Sequence, residues 1–530
     1  AMTYRLILVF PVVLLLLGCA GQSRAPVQPL LAHLSDEGEE GQCARFFVDL
    51  NQIVFDTGVA DAEAAQIAGF PYLRVDRFLA SYRDEPMDND TFDAWADHLQ
   101  DLDRQARKLE IANLPENSLQ HLRKYAANEA DILEKVTLCG QTLRARDLAD
   151  DNAKRKLRQK ATVSDNYSTF KRVVGIYPIS SAFVNQSILN LHENILDVFA
   201  TPIDSLPVKG QLVYYVPPVK VNALTPDETA AIIKRITNNP LSIPQPSALD
   251  RDKLFATFAP IWEIDVVDDN DRIGTLNWDS TSMASVDVIY PRVYQRLSYT
   301  RFQGKILLQL NYLIWFPARP LTGRFDMLGG KLDGLTWRVT LGPHGRPILY
   351  DAMHNCGCYH MFFPSPTLHE RAQSNTYQEP PLIPQTAPEV PVGQRILIRI
   401  AHRTHYLQRI LATPKTDSGT AYVFSDYHAL RSLPLSSGRY RSLFREDAIV
   451  SGTERGERWY LWPMGVLEPG AMRQWGNHAT AFIGKRHFDD PDLIDRYFEM
   501  GTADLAENSL QGALTIAPNY HAHQPGSRSK

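Results

Sequence analysis

The spacing of apolar residues changes once along the chain. Between about residues 42 and 204, apolar residues recur at intervals of three and four, as in TFDAWADHLQDLDRQARKLEIANL and SLQHLRKYAANEADILEKVTL. This is the period of helices that bury one face. The segment ADAEAAQIAG shows the same spacing, and Pro115 separates two of the helical segments. The pattern therefore predicts a helical domain over residues 42–204.

After about residue 205, runs rich in Val, Ile, Tyr, Phe and Trp alternate with turn residues, as in PIWEIDVV, KILLQLNYLIWFP and RILIRI. Such runs predict strands. YTRF-QG-KILL and LTWRVTL-GPHG-RPILYD predict two hairpins. We expect an α+β fold, in which the helical domain precedes a large antiparallel β domain over residues 205–500. This β domain would be a sandwich or an irregular barrel.

Two segments lie outside this pattern. Residues 376–391 are rich in proline and predict an extended arm within the β domain. The arm either has a functional role or crosses from one sheet edge to the other. Residues 501–530, which follow a short helix predicted in PDLIDRYFEM, form a C-terminal tail.

Composition narrows the possible functions. A chain of 530 residues is too long for a single core. The net charge of −5 and the absence of a basic stripe give no reason to expect a nucleic-acid partner. The tryptophans of the β half either pack in the core or form a surface for a cell-wall glycan. They are Trp262, Trp278, Trp315, Trp337, Trp459, Trp462 and Trp475.

The N-terminal segment carries a targeting pattern. Arg5 precedes an apolar run, Leu6–Leu17, that is too short for a good transmembrane helix. The run ends in LLGC, and this ending resembles the lipobox of bacterial lipoproteins, although Leu17 is an unusual residue two positions before the cysteine. An uncleaved anchor or a plain secretion signal is the alternative.

The resemblance implies that residues 1–18 are a signal peptide and that Cys19 carries lipid such as palmitate. The bilayer would then be a partner through Cys19, and residues 19–41, which are small, polar and acidic, would be a tether. Ala20 is not the aspartate that retains lipoproteins at the inner membrane. The expected location is therefore the periplasmic face of the outer membrane.

An oxidising compartment makes the other cysteines informative. The economical pairing joins Cys43 to Cys139 and Cys356 to Cys358. A bridge between Cys43 and Cys139 would close a loop of roughly a hundred residues and stabilise the fold by up to about 4–5 kcal/mol. The alternative is that both are reduced core residues.

The stretch HNCGCYH, residues 354–360, is the main candidate for chemistry. If the preceding strand continues through it, His354, Cys356, Cys358 and His360 share one face but extend over about 20 Å, too far for one metal ion. A bend at Gly357 would let Cys356 and Cys358 bind a metal with one of the two histidines. Zinc or copper would suit such ligands.

The remaining ligand would come from a distant strand. His402 follows Ile396, Ile398 and Ile400 in strand alternation, so we expect its side chain to point inward and to be the distant ligand. His405 falls on the opposite face and should be exposed.

Several alternatives stay open. Cys356 and Cys358 could form a strained, redox-active disulfide or a structural bridge. The structural bridge would suit a non-enzymatic envelope protein that binds a protein or glycan. The metal site could be catalytic if one coordination position is open. The acidic segment DVVDDNDRIG, which begins at Asp265, is either a solvated turn or a calcium loop.

Overall fold

The computed structural model describes residues 34–218, 223–323, 325–372, 377–414 and 418–501. The expected signal peptide, Cys19, most of the tether and all but the first residue of the tail lie outside these residues. The chain forms two compact units. The first comprises residues 34–60, 64–75 and 96–162, and the second the described residues of 61–63, 76–95 and 163–501.

Helices are concentrated in the N-terminal third but continue beyond it. Among the described residues they are α1 (Glu39–Thr57), α2 (Arg77–Ala80), α3 (Asn89–Asn113), α4 (Glu116–Leu122), α5 (Glu129–Asp147), α6 (Asp151–Lys160), α7 (Thr169–Val174), α8 (Tyr177–Ala200), α9 (Pro226–Ile236), α10 (Ala248–Phe258), α11 (Arg458–Leu461) and α12 (Leu493–Tyr497).

Strands dominate the second unit. The described residues form β1 (Ala65–Ile67), β2 (Phe70–Val75), β3 (Gln211–Val216), β4 (Ile261–Val266), β5 (Thr275–Trp278), β6 (Ala284–Asp287), β7 (Arg292–Phe302), β8 (Lys305–Arg319), β9 (Gly330–Leu341), β10 (Pro347–His354), β11 (Met361–Pro364), β12 (Leu368–Glu370), β13 (Gln394–Ile400), β14 (Leu407–Pro414), β15 (Thr420–Ala421), β16 (Val423–Asp426), β17 (Leu433–Pro434), β18 (Tyr440–Arg441) and β19 (Phe498–Met500).

A disulfide joins two helices of the first unit. Cys43 of α1 and Cys139 of α5 are bonded, with their Cα atoms 5.0 Å apart. Both side chains are buried, beside the apolar face of α1 that includes Phe46, Phe47 and Leu50. The predicted Cys43–Cys139 bridge is confirmed, whereas Cys356 and Cys358, the other expected pair, are free thiols. The Cys43–Cys139 bridge covalently links the two ends of residues 43–139, a segment that contains most of this unit.

One helix prediction for the first unit is wrong. The segment ADAEAAQIAG contains β1, which pairs antiparallel with β2. Gly69 turns the chain between them with φ at +89°, a conformation that glycine adopts at no steric cost. The alanine-rich segment had helical spacing, but the turn at Gly69 and the adjacent β2 determine its structure.

Two open sheets organise the second unit. One has six strands in the order β11-β10-β9-β8-β7-β16, and the other has five in the order β14-β13-β4-β3-β15. Both predicted hairpins are present, as β7–β8 and β9–β10. Three neighbouring pairs are parallel: β13 with β4, β15 with β3, and β16 with β7. The α+β prediction is confirmed, while the sheets are mixed and do not close into a barrel.

Strand β8 is buried on both faces. Leu308, Leu310 and Tyr312 join β4, β9 and β13 in the core between the two sheets. Leu313 and Trp315 point the other way, into a second apolar cluster that includes residues from the C-terminal segment. Burial on both faces explains why the sequence of β8 is a nearly continuous apolar run rather than an alternating one.

Three helices complete the core between the sheets. Ile195 and Phe199 of α8, Ile232 of α9 and Leu254 of α10 contribute to it. Helices α9 and α10 were not anticipated, although each begins with a recognisable cap. Thr225 and Glu228 form a capping box at α9, and Ser247 caps α10.

The proline-rich arm runs from β12 in one part of the second unit to β13 in the five-stranded sheet. On its way it lies along β11, where Leu382 O accepts a hydrogen bond from Phe362 N and Ala387 N donates one to Pro364 O. Leu382 and Ala387 are buried in the core. The arm thus crosses between the sheets and covers the free edge of β11, which would otherwise expose unpaired backbone groups.

We expect the Cys43–Cys139 bridge to contribute substantially to stability. Replacing both cysteines with alanine should lower the free energy of unfolding by about 2–5 kcal/mol, because the unfolded chain is no longer constrained. Urea denaturation followed by circular dichroism at 222 nm measures the change. Dithiothreitol should shift the midpoint of the natural chain and leave that of the double variant unchanged. Equal midpoints for the two chains would contradict the prediction.

Candidate functional site

Residues 354–360 form the turn of the β10–β11 hairpin instead of a straight strand. Gly357 N donates a hydrogen bond to His354 O at 2.7 Å, and His354 N donates to Cys358 O at 2.9 Å. Gly357 has φ at +95° and Tyr359 at +56°. The expected alternation along an extended strand is therefore wrong: the chain reverses within the motif, and its four candidate side chains do not form one row.

The C-terminal segment fixes this turn. Arg473 N donates to Asn355 O at 3.1 Å, and a Cβ atom at residue 357 would lie 2.6 Å from Ala479 O. A side chain has no room there, so glycine is required both for its positive φ and for close backbone packing.

The two thiols in the turn contact each other. Cys356 and Cys358 are free cysteines; Cys356 is 8% exposed and Cys358 somewhat more. The sulfur of Cys356 accepts a hydrogen bond from Cys358 N at 3.4 Å. The hydrogen bond between the two side chains, together with burial, raises the pKa of the Cys358 thiol well above its usual value. Cys358 therefore keeps its proton and offers it to Cys356.

Charged groups surround the pair. The buried guanidinium of Arg473 interacts electrostatically with both sulfurs. Burial raises the pKa of Glu457 to about 7, against the opposing charges of Arg455, Arg319 and Arg473. The carboxylate of Glu457 is close enough for its charge to raise the pKa of Cys358. A carboxyl group that titrates near neutral pH thus acts electrostatically on the thiol of Cys358.

A buried array of carboxylates and imidazoles adjoins the turn. Asp333 of β9 lies between two histidines: Oδ1 is 3.4 Å from Nδ1 of His354, and Oδ2 is 2.8 Å from Nδ1 of His405. Nε2 of His405 lies 3.6 Å from Oδ1 of Asp271. The ring of His405 stacks on Phe316 with centroids 3.9 Å apart. The array thus runs from Asp271 through His405 and Asp333 to His354, and all four side chains are buried.

The charges in this array are distributed asymmetrically. Burial alone would raise the pKa of Asp333, but the neighbouring histidines hold it well below its usual value. Burial also acts to lower the pKa of His405, but hydrogen bonds to Asp271 and Asp333 outweigh it and raise the pKa. The pKa of His354 is lowered, chiefly by burial. The surroundings therefore favour the protonated form of His405 and the uncharged form of His354.

His354 also packs against a pair of tyrosines. The ring centroids of Tyr359 and Tyr406 lie 5.1 and 5.6 Å from that of His354, both edge-on. The two tyrosine hydroxyls are hydrogen-bonded to each other, and Arg319 Nη1 donates to the Tyr406 hydroxyl at 3.3 Å. Within the described part of the chain, Nε2 of His354 has no hydrogen-bond partner. This nitrogen is the unused proton acceptor of the cluster.

His360 belongs to a different network. Its Nε2 lies 2.9 Å from Oδ2 of Asp351, and its Nδ1 lies 3.2 Å from the hydroxyl of Thr480. Asp351 also accepts a hydrogen bond from Nε of Arg338 at 2.9 Å. Burial lowers the pKa of His360 to about 4, so it is neutral at pH 7. Both ring nitrogens are already engaged, away from the thiols.

The orientations expected for His402 and His405 are reversed. The His402 side chain is 33% exposed and lies 3.6 Å from Asp265, whereas His405 is fully buried. Strand β13 ends at Ile400, and the following turn has positive φ at Arg403 and His405. The alternation of the strand therefore does not reach either histidine.

The five candidate metal ligands do not converge. Cys356 and Cys358 adjoin each other, His354 lies at the base of the same turn, and His360 and His402 point elsewhere. Within the described residues, no group of three or more His, Cys, Asp or Glu side chains is arranged to hold a metal ion. Binding of zinc or copper stays a prediction that the structure does not test.

Sequence reasoning missed most of the groups around the turn. Asp271, expected in a solvated turn, is buried and accepts a hydrogen bond from Val267 N at 2.8 Å. Asp333 lies in β9, which also carries Lys331 and Arg338, so no local signal distinguishes it as a buried charge. Glu457 and Arg473 lie about a hundred residues from the thiols, and no sequence spacing connects them.

The Arg338–Asp351–His360 network should be important for stability. The variant Asp351→Asn leaves the buried guanidinium without a counter-charge and should lower the free energy of unfolding by about 3–5 kcal/mol. Asp269→Asn is the control, because the Asp269 side chain is 80% exposed. Urea denaturation at pH 7 measures both. A loss below about 1 kcal/mol for Asp351→Asn would show that the pair is not a buried ion pair in solution.

Comparisons of this chain with known proteins found no relative. The chain matches no protein-family model, no curated protein and no solved structure. No family therefore assigns an activity to the turn. The function must be argued from the thiols and the charged groups around them.

Proposed function

We propose that this chain is a lipid-anchored envelope protein whose Cys356–Cys358 pair oxidises thiols. One observation carries the redox part of the proposal. The Cys356 sulfur accepts hydrogen bonds from both the backbone amide and the thiol of Cys358, beside the buried guanidinium of Arg473. These groups are the hydrogen-bond donors and the positive charge that a thiolate leaving at Cys356 would meet. A reduced form stabilised in this way makes the corresponding disulfide a stronger oxidant.

The reaction begins from the Cys356–Cys358 disulfide and a substrate with two thiols. A substrate thiolate attacks the sulfur of Cys358, the more exposed of the two; the intramolecular disulfide breaks and Cys356 leaves as a thiolate. The second substrate thiol, losing its proton, attacks the mixed disulfide, and Cys358 leaves. The substrate gains a disulfide, and Cys356 and Cys358 together gain two electrons. Cys356 takes from water the proton that the first substrate thiol released, and Cys358 takes one from Glu457, which recovers it from the second substrate thiol. A second disulfide compound restores the oxidised pair by the reverse exchange.

Glu457 is the proton donor in this scheme. Its pKa of about 7 allows it to hold a proton at neutral pH and release it to the leaving sulfur of Cys358. The high pKa of the Cys358 thiol makes that transfer favourable. The ring formed by a Cys-Gly-Cys disulfide is small and strained, which raises its oxidising power.

A metal centre is the second candidate. The adjacent sulfurs of Cys356 and Cys358 and the unpartnered Nε2 of His354 are soft and borderline ligands of the kind that zinc and copper prefer. Other ligands would have to come from water, a substrate or residues outside the described part of the chain. With an open position, such a metal would supply Lewis-acid or water-activating chemistry.

The envelope location rests on the lipobox resemblance around Cys19. The lipid would place the protein at the periplasmic face of the outer membrane, with residues 19–41 as a tether. Its substrates there would be other envelope proteins with pairs of thiols. Trp262, Trp315 and Trp337 are buried in the core, so of the tryptophans in the β half a cell-wall glycan would meet the exposed Trp459 and Trp462.

The thiol pair should titrate as a two-electron couple. The full chain is equilibrated in glutathione buffers, and its free thiols are mass-tagged. Cys356 and Cys358 should become reduced together at a potential above about −300 mV, the upper limit for most structural disulfides. Cys43 and Cys139 serve as the internal control and should stay oxidised throughout. Cys356→Ser and Cys358→Ser should each abolish the couple.

Two outcomes of this titration would reject the proposal. A pair that stays oxidised to potentials below about −300 mV would be a structural bridge and would favour a non-enzymatic binding protein. Thiols that resist tagging until a chelator is added, together with bound zinc or copper in elemental analysis, would favour the metal centre.

Glu457→Gln should change the pH dependence of thiol oxidation. Below about pH 7 the natural Glu457 is protonated and speeds the departure of Cys358, whereas above it the group has no proton to give. The ratio of the natural rate to the variant rate should therefore be highest below pH 7 and approach one above it. Titration of the substrate thiol affects both rates equally, so its effect cancels in the ratio. A ratio that does not vary with pH would remove Glu457 from the mechanism.

Lipidation at Cys19 is tested separately from redox chemistry. The N-terminal peptide of the protein isolated from bacterial envelopes should begin at Cys19 and carry the added mass of acyl chains. Cys19→Ser should prevent both cleavage and acylation. A natural N-terminus that begins elsewhere, without lipid, would favour a plain secretion signal or an uncleaved anchor.

A further inference from the structure

The second unit contains a cavity beside the end of the proline-rich arm. Its volume is about 600 Å³, which is within the usual range for pockets that hold small molecules. Residues 387–396, from the arm to the start of β13, line one side of it. The start of α9, the end of α10 and residues between 345 and 350 line the other sides. We call it the arm cavity.

Direct contacts hold the walls of the arm cavity in place. A Cβ atom at Gly345 would lie 2.0 Å from Pro226 O, so the turn of the β9–β10 hairpin packs tightly against the first residue of α9. Leu224 N donates a hydrogen bond to the hydroxyl of Thr257 at 3.2 Å, which joins the segment before α9 to α10. The cavity is thus formed by packed elements of the fold.

Arg395 is a buried cation in the wall of the arm cavity. The residue is 5% exposed, and its Nη1 donates to three carbonyl oxygens at the end of α10, those of Ala256, Thr257 and Ala259, at 2.8, 3.2 and 3.0 Å. Its Nε and Nη2 have no hydrogen-bond partner within the described residues. These two nitrogens form one edge of the guanidinium, the same edge with which Arg338 binds both carboxylate oxygens of Asp351. That edge matches the geometry of a carboxylate.

The charge of Arg395 is not balanced by a carboxylate in the described part of the chain. Arg399, which lies four residues further along β13, pairs with Glu263 at 2.7 Å, whereas Arg395 forms no ion pair there. Burial lowers the pKa of Arg395, as expected for a cation without a nearby anion. The carbonyl oxygens at the end of α10 offset about half of one charge. An anion in the cavity would balance the remainder.

The other charges of the arm cavity lie at its rim. Arg346 and Glu389 line the cavity and are both exposed, so their opposite charges largely cancel. Arg395 therefore calls for a ligand with a single negative charge. Part of the wall is apolar and packs against the core between the sheets, through Leu224, Phe258 and Val390. The cavity thus offers one buried cation and an apolar surface.

Tyr350 supplies a further hydrogen-bond donor to the arm cavity. Burial raises the pKa of its hydroxyl, which therefore keeps its proton. The hydroxyl makes no hydrogen bond with any residue that the structure describes. Tyr350 and Arg395 both act electrostatically on Tyr312, so both face the same part of the cavity. A carboxylate on Arg395 would have this hydroxyl as a second donor.

We propose that the arm cavity binds a small amphipathic carboxylate. The carboxylate would lie on the Nε–Nη2 edge of Arg395, and the apolar body against Leu224, Phe258 and Val390. A ligand with both parts gains the charge-assisted hydrogen bonds and the burial of its apolar surface. This proposal goes beyond the thiol chemistry and does not depend on it. It gives the proline-rich arm a binding role in addition to covering the edge of β11.

Isothermal titration calorimetry with octanoate tests the proposal on the full chain at pH 7. One octanoate should bind per chain. Octanol, which lacks the charge, and octylamine, which reverses it, should bind at least about tenfold more weakly. Arg395→Met keeps the length of the side chain and should weaken octanoate binding by at least about tenfold. The matched control is Arg445→Met, which alters an exposed arginine outside the cavity and should leave the affinity unchanged.

Photo-crosslinking locates the site in the natural chain and does not rely on the folding of a variant. Octanoic acid that carries a diazirine should label peptides covering residues 387–396, and excess octanoate should compete with the labelling. Labelling confined to other peptides would overturn the proposal. So would an unchanged affinity in a natively folded Arg395→Met variant, or equal affinities for octanol and octanoate. Octyl phosphate that binds about tenfold more tightly than octanoate would replace the carboxylate with a phosphate ester as the ligand.

Discussion

Buried charge must be balanced where it lies, and this requirement shapes the interior of the second unit. Asp351 is paired with Arg338 and His360, and Asp333 with His354 and His405. An unpaired charge in such a place would cost several kcal/mol, so each carboxylate fixes the strand or turn that supplies its partner. The hairpin β10–β11, which carries the thiols, is held between these two networks.

The networks treat the two histidines of the turn differently. His360 has both ring nitrogens engaged and can only hold structure. In His354, Nδ1 is oriented by Asp333, and Nε2 has no hydrogen-bond partner among the described residues, the arrangement that a proton acceptor needs. The Cys356 sulfur likewise accepts hydrogen bonds, whereas the Cys358 thiol keeps its proton. His354 and His360 thus differ in their hydrogen bonding, as do Cys356 and Cys358, because their neighbours differ.

Local sequence predicted the elements much better than the site. Adjacent residues were enough to predict strand β8, from its apolar run, and the turns of the β7–β8 and β9–β10 hairpins. The Cys43–Cys139 bridge followed from the number of cysteines in an oxidising compartment. ADAEAAQIAG was misread because three residues of strand and a glycine turn have no period, and α9 and α10 were overlooked despite their caps.

The sequence predicted only some residues of the candidate site, for a related reason. HNCGCYH was interpreted both by strand alternation and by a bend at Gly357, and the chain bends there. Strand alternation was also extended past Ile400, which reversed His402 and His405. Alternation holds only while the backbone stays extended, and positive φ at Gly357 and Arg403 ends it. Glu457, Arg473 and Asp333 reach the thiols through tertiary packing, which no spacing along the chain records.

The contact between Gly357 and Ala479 has a consequence for how the protein is made. The thiol turn is completed by backbone groups more than a hundred residues later in the chain, so it cannot reach its final form while the C-terminal segment is still being synthesised or exported. Until then Cys356 and Cys358 are ordinary thiols without Arg473 or Glu457 beside them. The turn and the surroundings of both thiols therefore form only after residues 473–479 have been made.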